Sequence, residues 1–271
     1  MIAIALTYLL LLVAVYAFQR SLLFHPTRMD PRAFAKQVQT LFGPRARLLA
    51  PYDAIVIEPG GAHAAETAIV FHGNGGAAID RKPLALEFAA RGVRIVLAEY
   101  PGYGPRKGRP SEAALVDDAV QLYGAVAALY PEDRVTLVGE SVGSGVAAQV
   151  VARLDVPRQP ARLVLITPFV SVPETAARIF WFLPVRWLAR DRFDVPPAFR
   201  AFHGPVHILI AESDEVVGAR QGRSIAALAS ARGPTITVSI ANAHHNDWWA
   251  LASPDDWDAL IGYGRSVLPI R

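Results

Sequence analysis

Residues 1–18, MIAIALTYLLLLVAVYAF, form an unbroken apolar run without a charged side chain. As a helix, residues 2–18 extend about 25 Å, slightly less than a ~30 Å hydrocarbon core. No Lys or Arg precedes the run, and the only small-residue cleavage position, near Ala17, is poor, so a signal peptide fits badly. An apolar surface all round is also unusual for a core helix. The expectation is an uncleaved, single-pass membrane anchor over residues 1–18.

From residue 53 the pattern changes. Short β-branched runs at 53–58, 67–71, 93–98, 135–138, 163–167, 206–211 and 235–240 alternate with helical stretches at 80–91, 111–130, 142–154, 217–231 and 257–266. Strands alternating with helices of this length predict right-handed crossovers and an α/β fold with a mostly parallel central sheet. Residues 173–197 break the rhythm where a crossover belongs. Phe180, Trp181, Phe182, Trp187 and Leu188 make this stretch too aromatic for an ordinary loop, and it reads as a lid-like insertion or a packed helix hairpin.

Composition removes several classes. At 52% hydrophobic and 19% charged, the 271-residue chain is not disordered. Having no Cys, it has no disulfide framework, no thiolate nucleophile and no Cys-based zinc site. The net charge of +3 is unevenly placed. Residues 19–50 hold Arg20, Arg28, Arg32, Lys36, Arg45 and Arg47 against Asp30 alone, whereas residues 51–271 hold 21 basic and 23 acidic groups. A basic segment after an apolar span suits anionic headgroups and a domain on the cytoplasmic side. Nucleic acid is not an expected partner; membrane lipids are. The expected organisation is an anchor over 1–18, a basic juxtamembrane segment over 19–50 and a catalytic domain over 51–271.

The chemistry gathers at strand ends. Val135-Thr-Leu-Val-Gly139-Glu-Ser141-Val-Gly143 is an apolar strand running into Gly-x-Ser-x-Gly and then a helical pattern, the context of a nucleophile elbow. A serine hydroxyl needs a base, and the base an orienting acid. Asp214 follows the run 206–211, with Glu212 and Glu215 as neighbouring alternatives. His245 follows the run 235–240, with His244 as its alternative. His25, His63, His203 and His207 read as structural or surface residues. Oxyanion donors are expected from the amide of Val142 and from the loop His72-Gly73-Asn74-Gly75-Gly76, with Asn74 first and Gly75 second. Candidate substrate contacts are Gly73, Tyr100, Phe180 and Trp181. The same loop also carries the parts of a dinucleotide fingerprint, Gly73-x-Gly75-x-x-Ala78 with Glu99 ending the next strand. That oxidoreductase reading leaves Ser141, Asp214 and His245 without a role.

With these motifs the chain resembles the α/β-hydrolase superfamily, above all the membrane-anchored group related to fungal Bem46 and to animal abhydrolase domain proteins of types 12, 13 and 17. Gln19-Arg-Ser-Leu-Leu-Phe-His-Pro26, Glu99-Tyr-Pro-Gly-Tyr-Gly104 and Arg109-Pro-Ser-Glu112 extend the likeness to about residues 18–266. The resemblance implies Ser141 as nucleophile, Asp214 as acid, His245 as base, and Asn74 with Val142 as oxyanion donors. It also implies hydrolysis of carboxylic esters or thioesters, lysophospholipids and S-acylated proteins included, without cofactor or metal. Glu99 stands where an Asp is common and Pro101 where an Arg is common. A peptidase of the same fold and a catalytically idle membrane interaction module are the competing expectations.

Overall fold

Continuous apolar runs along the predicted strands require cover on both sheet faces, and a computed structural model of the chain provides it. The structure describes residues 1–61, 64–200 and 202–263. Eight strands form one sheet: β1 (Ala46–Leu49), β2 (Ala54–Ile57), β3 (Glu66–Phe71), β4 (Arg94–Leu97), β5 (Arg134–Glu140), β6 (Arg162–Ile166), β7 (Val206–Ala211) and β8 (Thr235–Ile240). Their order is β8-β7-β6-β5-β3-β4-β2-β1. The pairings of β2 with β1 and with β4 are antiparallel; those from β4 through β3 to β8 are all parallel.

The helices are α1 (Ile2–Leu23), α2 (Pro31–Phe42), α3 (Lys82–Ala90), α4 (Glu112–Leu129), α5 (Val142–Arg153), α6 (Val172–Ile179), α7 (Val185–Leu188), α8 (Ala219–Ser230), α9 (Trp248–Leu251) and α10 (Pro254–Ile261). Alternate residues of each central strand serve opposite layers, as the two-residue strand period requires. Leu137, Leu163 and Ile208 face the layer of α4, α5 and α8. Val138, Val164 and Leu209 face that of α2, α3 and α10.

Residues 25–49 depart from the expected organisation. Asp30 caps α2 by accepting from the amides of Arg32 and Ala33, and Pro31 opens the helix. Phe34 and Val38 on α2 are fully buried, each contributing about 1.5–3 kcal/mol by leaving water. Strand β1 then pairs with β2. The expected boundary at residue 50 therefore falls inside the folded domain, because a capped amphipathic helix and an edge strand already bury apolar surface there. His25 and Pro26 likewise pair with Gly75 and Gly76.

Helix α1 is long and apolar enough to cross a membrane and contributes no buried residue to the core. It is nevertheless docked. Arg20 pairs with Asp191 at 2.7 Å, Gln19 donates to the Leu188 carbonyl, and the Tyr8 hydroxyl donates to the Phe182 carbonyl. Its partner is the expected insertion, which comprises α6, α7 and their connections between β6 and β7. His63 and the predicted helix beyond residue 263 lie outside the described residues.

Candidate active site

Strand β5 ends at Glu140 and α5 begins at Val142, leaving Ser141 alone in the turn with φ 52° and ψ −119°. Such a backbone costs a non-glycine residue on the order of 1–3 kcal/mol and persists only where its surroundings enforce it. The two flanking glycines do so. A Cβ on Gly139 would lie 2.2 Å from the Gly143 carbonyl oxygen, and one on Gly143 would lie 2.0 Å from that of Phe71. Neither position admits a larger residue, so the turn closes tightly and lifts Ser141 off the sheet.

The Ser141 hydroxyl donates to Nε2 of His245 at 3.0 Å, and the opposite ring nitrogen, Nδ1, donates to Oδ2 of Asp214 at 2.8 Å. All three residues are buried. Burial alone would push the Asp214 carboxyl up. The His245 hydrogen bond and charge, with the amides of Val217 and Gly218, outweigh it and hold the group below its ordinary value. An ionised Asp214 fixes the His245 tautomer that leaves Nε2 free to accept a proton.

The neighbouring alternatives point elsewhere. Glu212 pairs with Arg223 and accepts from Ser239. His244 is exposed and faces Glu215 at 3.1 Å. His207 is buried with Nδ1 on the Leu260 carbonyl, and His203 faces the Arg232 carbonyl.

The loop after β3 lies against Ser141; a Cβ on Gly73 would stand 3.5 Å from that of Ser141. Asn74, Ser141 and Val142 line one cavity. Val142 opens α5, so its amide is among the first four that have no intrahelical acceptor. The Asn74 side chain is engaged in the opposite direction, donating to the Leu23 carbonyl of α1.

Beneath this loop, His72 lies 3.2 Å from Glu99 through Nε2 and 2.8 Å from the Gly73 carbonyl through Nδ1. Tyr100 donates to the His72 carbonyl and Tyr103 to that of Asn74. Tyr100, expected at the substrate, is thus a fully buried brace under the loop. Glu99 is equally enclosed, accepting from the Ala78 and Tyr100 amides, and presents nothing to a ribose. The dinucleotide reading loses its acidic residue.

The cavity has a volume of about 240 Å³. Its walls come from α1 (Val15, Leu22, Leu23), from the insertion (Val172, Ile179, Phe180) and from Val216 and Val217 before α8. Phe180 lines it. Trp181 does not line it and stands 81% exposed. Sequence reasoning missed the α1 wall, the Arg20–Asp191 pair and the Arg81–Glu140 pair beside the elbow. None of these contacts has a local sequence signature.

The strand order, the elbow after β5 and the positions of the acid after β7 and the histidine after β8 together decide the fold family. The chain has the α/β-hydrolase fold.

Comparison with known proteins agrees. Residues 62–194 match the family model described as serine aminopeptidase, S33. The uncharacterized protein Rv2307c of Mycobacterium tuberculosis is 34% identical over 181 residues, covering 66% of this chain and 62% of the relative. A lysophosphatidylserine lipase, ABHD12 of Danio rerio, is 30% identical over 178 residues, covering 60% and 47%. The chain thus spans under two thirds of the first relative and about half of the second. Among solved structures, the esterase Pf2001 of Pyrococcus furiosus superposes with a TM-score of 0.65 at 15% identity, covering 89% of this chain and 96% of the esterase. The Pyrococcus horikoshii acylaminoacyl peptidase gives 0.58 at 12% identity, covering 81% and 40%.

A hydroxyl placed like that of Ser141 can pass its proton to His245 while its oxygen attacks a carbonyl. The charge developing on that carbonyl oxygen would meet the N-terminus of α5.

Proposed function

We propose that this protein is a membrane-anchored serine hydrolase that cleaves the ester bond of single-chain acyl lipids, with thioesters as chemically equivalent substrates. Ser141 is the nucleophile, His245 the general base and then acid, and Asp214 the orienting carboxylate. The Val142 and Asn74 amides receive the oxyanion. Attack by Ser141 Oγ transfers its proton to His245. Collapse of the tetrahedral intermediate returns that proton to the departing alcohol and leaves an acyl-enzyme. Water, deprotonated by the same histidine, then releases the fatty acid and restores Ser141. The protein's own groups carry every proton in this sequence.

The observation that carries the substrate class is the cavity at Ser141, walled by apolar residues of α1 and of the insertion. An acyl chain fits such a lining, and the lipase activity in the name of the Danio rerio relative points the same way. The anchor over residues 1–18 and the basic groups that follow it favour a domain on the cytoplasmic side of the membrane.

A peptidase reading is suggested by the description of the matching family model. It ranks second because the acid in the cavity wall, Asp191, is already engaged by Arg20 and by the Glu112 amide, leaving little to hold a substrate amine.

Kinetics on a series of single-chain lysophospholipids and short soluble esters test the proposal. The expected result is a kcat/KM that rises with acyl length. Preference for acetyl or propionyl esters, with lipids ignored, contradicts it.

A further inference from the structure

Helix α1 and the insertion run side by side for most of their length. Three contacts fix the register: Arg20 with Asp191, Gln19 with Leu188, and Tyr8 with Phe182. The Arg190 guanidinium also lies over the Tyr16 ring at 5.6 Å. The insertion therefore climbs α1 from its charged end toward its apolar end.

The side chains of the two elements change character together along this climb. At the level of Arg20 the insertion carries Arg186, Arg190, Asp191 and Arg192. At the level of Tyr8 it carries Phe180, Trp181 and Phe182, beside Leu6 and Leu9 of α1. Trp181 and Trp187 are 81% and 91% exposed, and Phe180 and Phe182 are about half exposed. This apolar surface is continuous with the uncovered faces of α1, where Leu9, Leu10 and Val13 are exposed as well. Contiguous patches of this kind mark sites of interaction.

The arithmetic of α1 identifies what covers the patch. Tyr8 lies 12 residues from Arg20, about 18 Å along the helix axis, and well inside the uncharged stretch of α1 that ends at Phe18. Where this apolar stretch enters a ~30 Å hydrocarbon core, the Tyr8–Phe182 contact lies inside that core, well beyond the charged end of α1. Whether α1 stands upright or tilts, the insertion tip enters the lipid with it.

We propose that the insertion tip, Ile179–Leu183, is seated in the acyl-chain region of the bilayer beside α1, so that the cavity opens within the leaflet. The occupant of this surface is lipid. Resting on the reading of Ser141 as the nucleophile of a lipid hydrolase, the arrangement lets an acyl chain pass between α1 and α6 toward Ser141 without crossing water. The polar base at Arg186, Arg190 and Arg192 then meets the headgroups, and Trp187 sits at the boundary that tryptophan favours.

Tryptophan fluorescence of the full chain in phosphatidylcholine–phosphatidylglycerol vesicles tests this, using lipids brominated on the acyl chain and iodide in the water. Wild type is compared with Trp181→Phe and Trp187→Phe, which keep the aromatic bulk. Part of the emission should be quenched by the brominated chains and protected from iodide, and Trp181→Phe should lose most of that component. Quenching by iodide alone overturns the proposal. So does protection from iodide without quenching by bromine, because a second protein chain would then be the cover. The Ser141→Ala variant should give the same spectra as wild type, so that this test and the catalytic reading can fail separately.

Discussion

The Ser141 hydroxyl and Nε2 of His245 lie 3.0 Å apart although 104 residues separate them in the chain. Strands β5 and β8 are not neighbours; β6 and β7 lie between them. The pair meets because Ser141 is raised above the end of its strand by the elbow, while His245 reaches it from the loop that follows β8. That loop is held by Ser213 donating its amide to the Ala243 carbonyl at 2.8 Å and by Asp214. Sheet geometry thus sets the distance across which the proton moves.

Replacing Ser141 separates chemistry from stability. Ser141→Ala should lower kcat on the order of a millionfold while leaving the fold intact, since loss of the nucleophile is close to loss of the whole relay. Ser141→Gly should be equally inactive yet more stable than Ser141→Ala by about 1 kcal/mol, because glycine adopts a φ of 52° without strain. Denaturant midpoints of the two variants check the second effect.

Gly143→Ala should be among the most damaging single changes in the chain. Its Cβ would stand 2.0 Å from the Phe71 carbonyl oxygen, a backbone atom of the central strand β3. A loss of about 3 kcal/mol or more is expected, with a lower melting temperature. Gly124→Ala, where nothing lies within 4 Å of the added atom, serves as the control and should cost nothing measurable.

The acid predicts a pH dependence of stability. Asp214 has its folded pKa held below the unfolded value, so its contribution is fully present above the unfolded value and is lost as pH falls through the folded one. Stability of wild type should therefore exceed that of Asp214→Asn near neutral pH, with the gap narrowing toward about pH 3. Urea unfolding of the two proteins at a series of pH values measures this gap. A gap independent of pH contradicts the assignment.

The clamp between α1 and the insertion should govern lipid handling. Arg20→Ala leaves the buried Asp191 carboxylate with only the Glu112 amide, at a cost of about 1–3 kcal/mol. The insertion should then loosen. Expected signs are faster proteolysis within residues 179–192 and a higher KM for long-chain lipids, with kcat on a short soluble ester nearly unchanged. Asp191→Asn should weaken the clamp less, because it keeps an oxygen for the Glu112 amide.

Much of this was readable in the sequence because it is local. The strands from β2 to β8 are apolar runs whose ends are set by turn residues, and Gly139, Ser141 and Gly143 form a five-residue pattern in its proper context. Choosing His245 over His244, or Asp214 over Glu212 and Glu215, was beyond spacing. A loop turns adjacent side chains in different directions, and only the fold shows which of them faces Ser141. The segment 31–49 was misread through its charge. Its four basic groups, Arg32, Lys36, Arg45 and Arg47, disguise a helix whose Asp30 cap and Pro31 are in plain view, and a four-residue edge strand leaves almost no periodicity to detect. Tyr100, a candidate substrate contact by sequence, lies below the loop because His72 and Tyr103 pack against it, a contact without a local signature. The docking of α1 on the insertion joins residues about 170 positions apart, and no local pattern encodes it.

The central claim is that Ser141 is the nucleophile of a serine hydrolase. Mass spectrometry of the intact, folded protein after exposure to an alkyl fluorophosphonate tests it most directly. One adduct is predicted, mapped by peptide analysis to Ser141, absent from Ser141→Ala and strongly reduced in rate in His245→Ala. A folded wild-type protein that stays unmodified, or one that carries its adduct at another residue, contradicts the account.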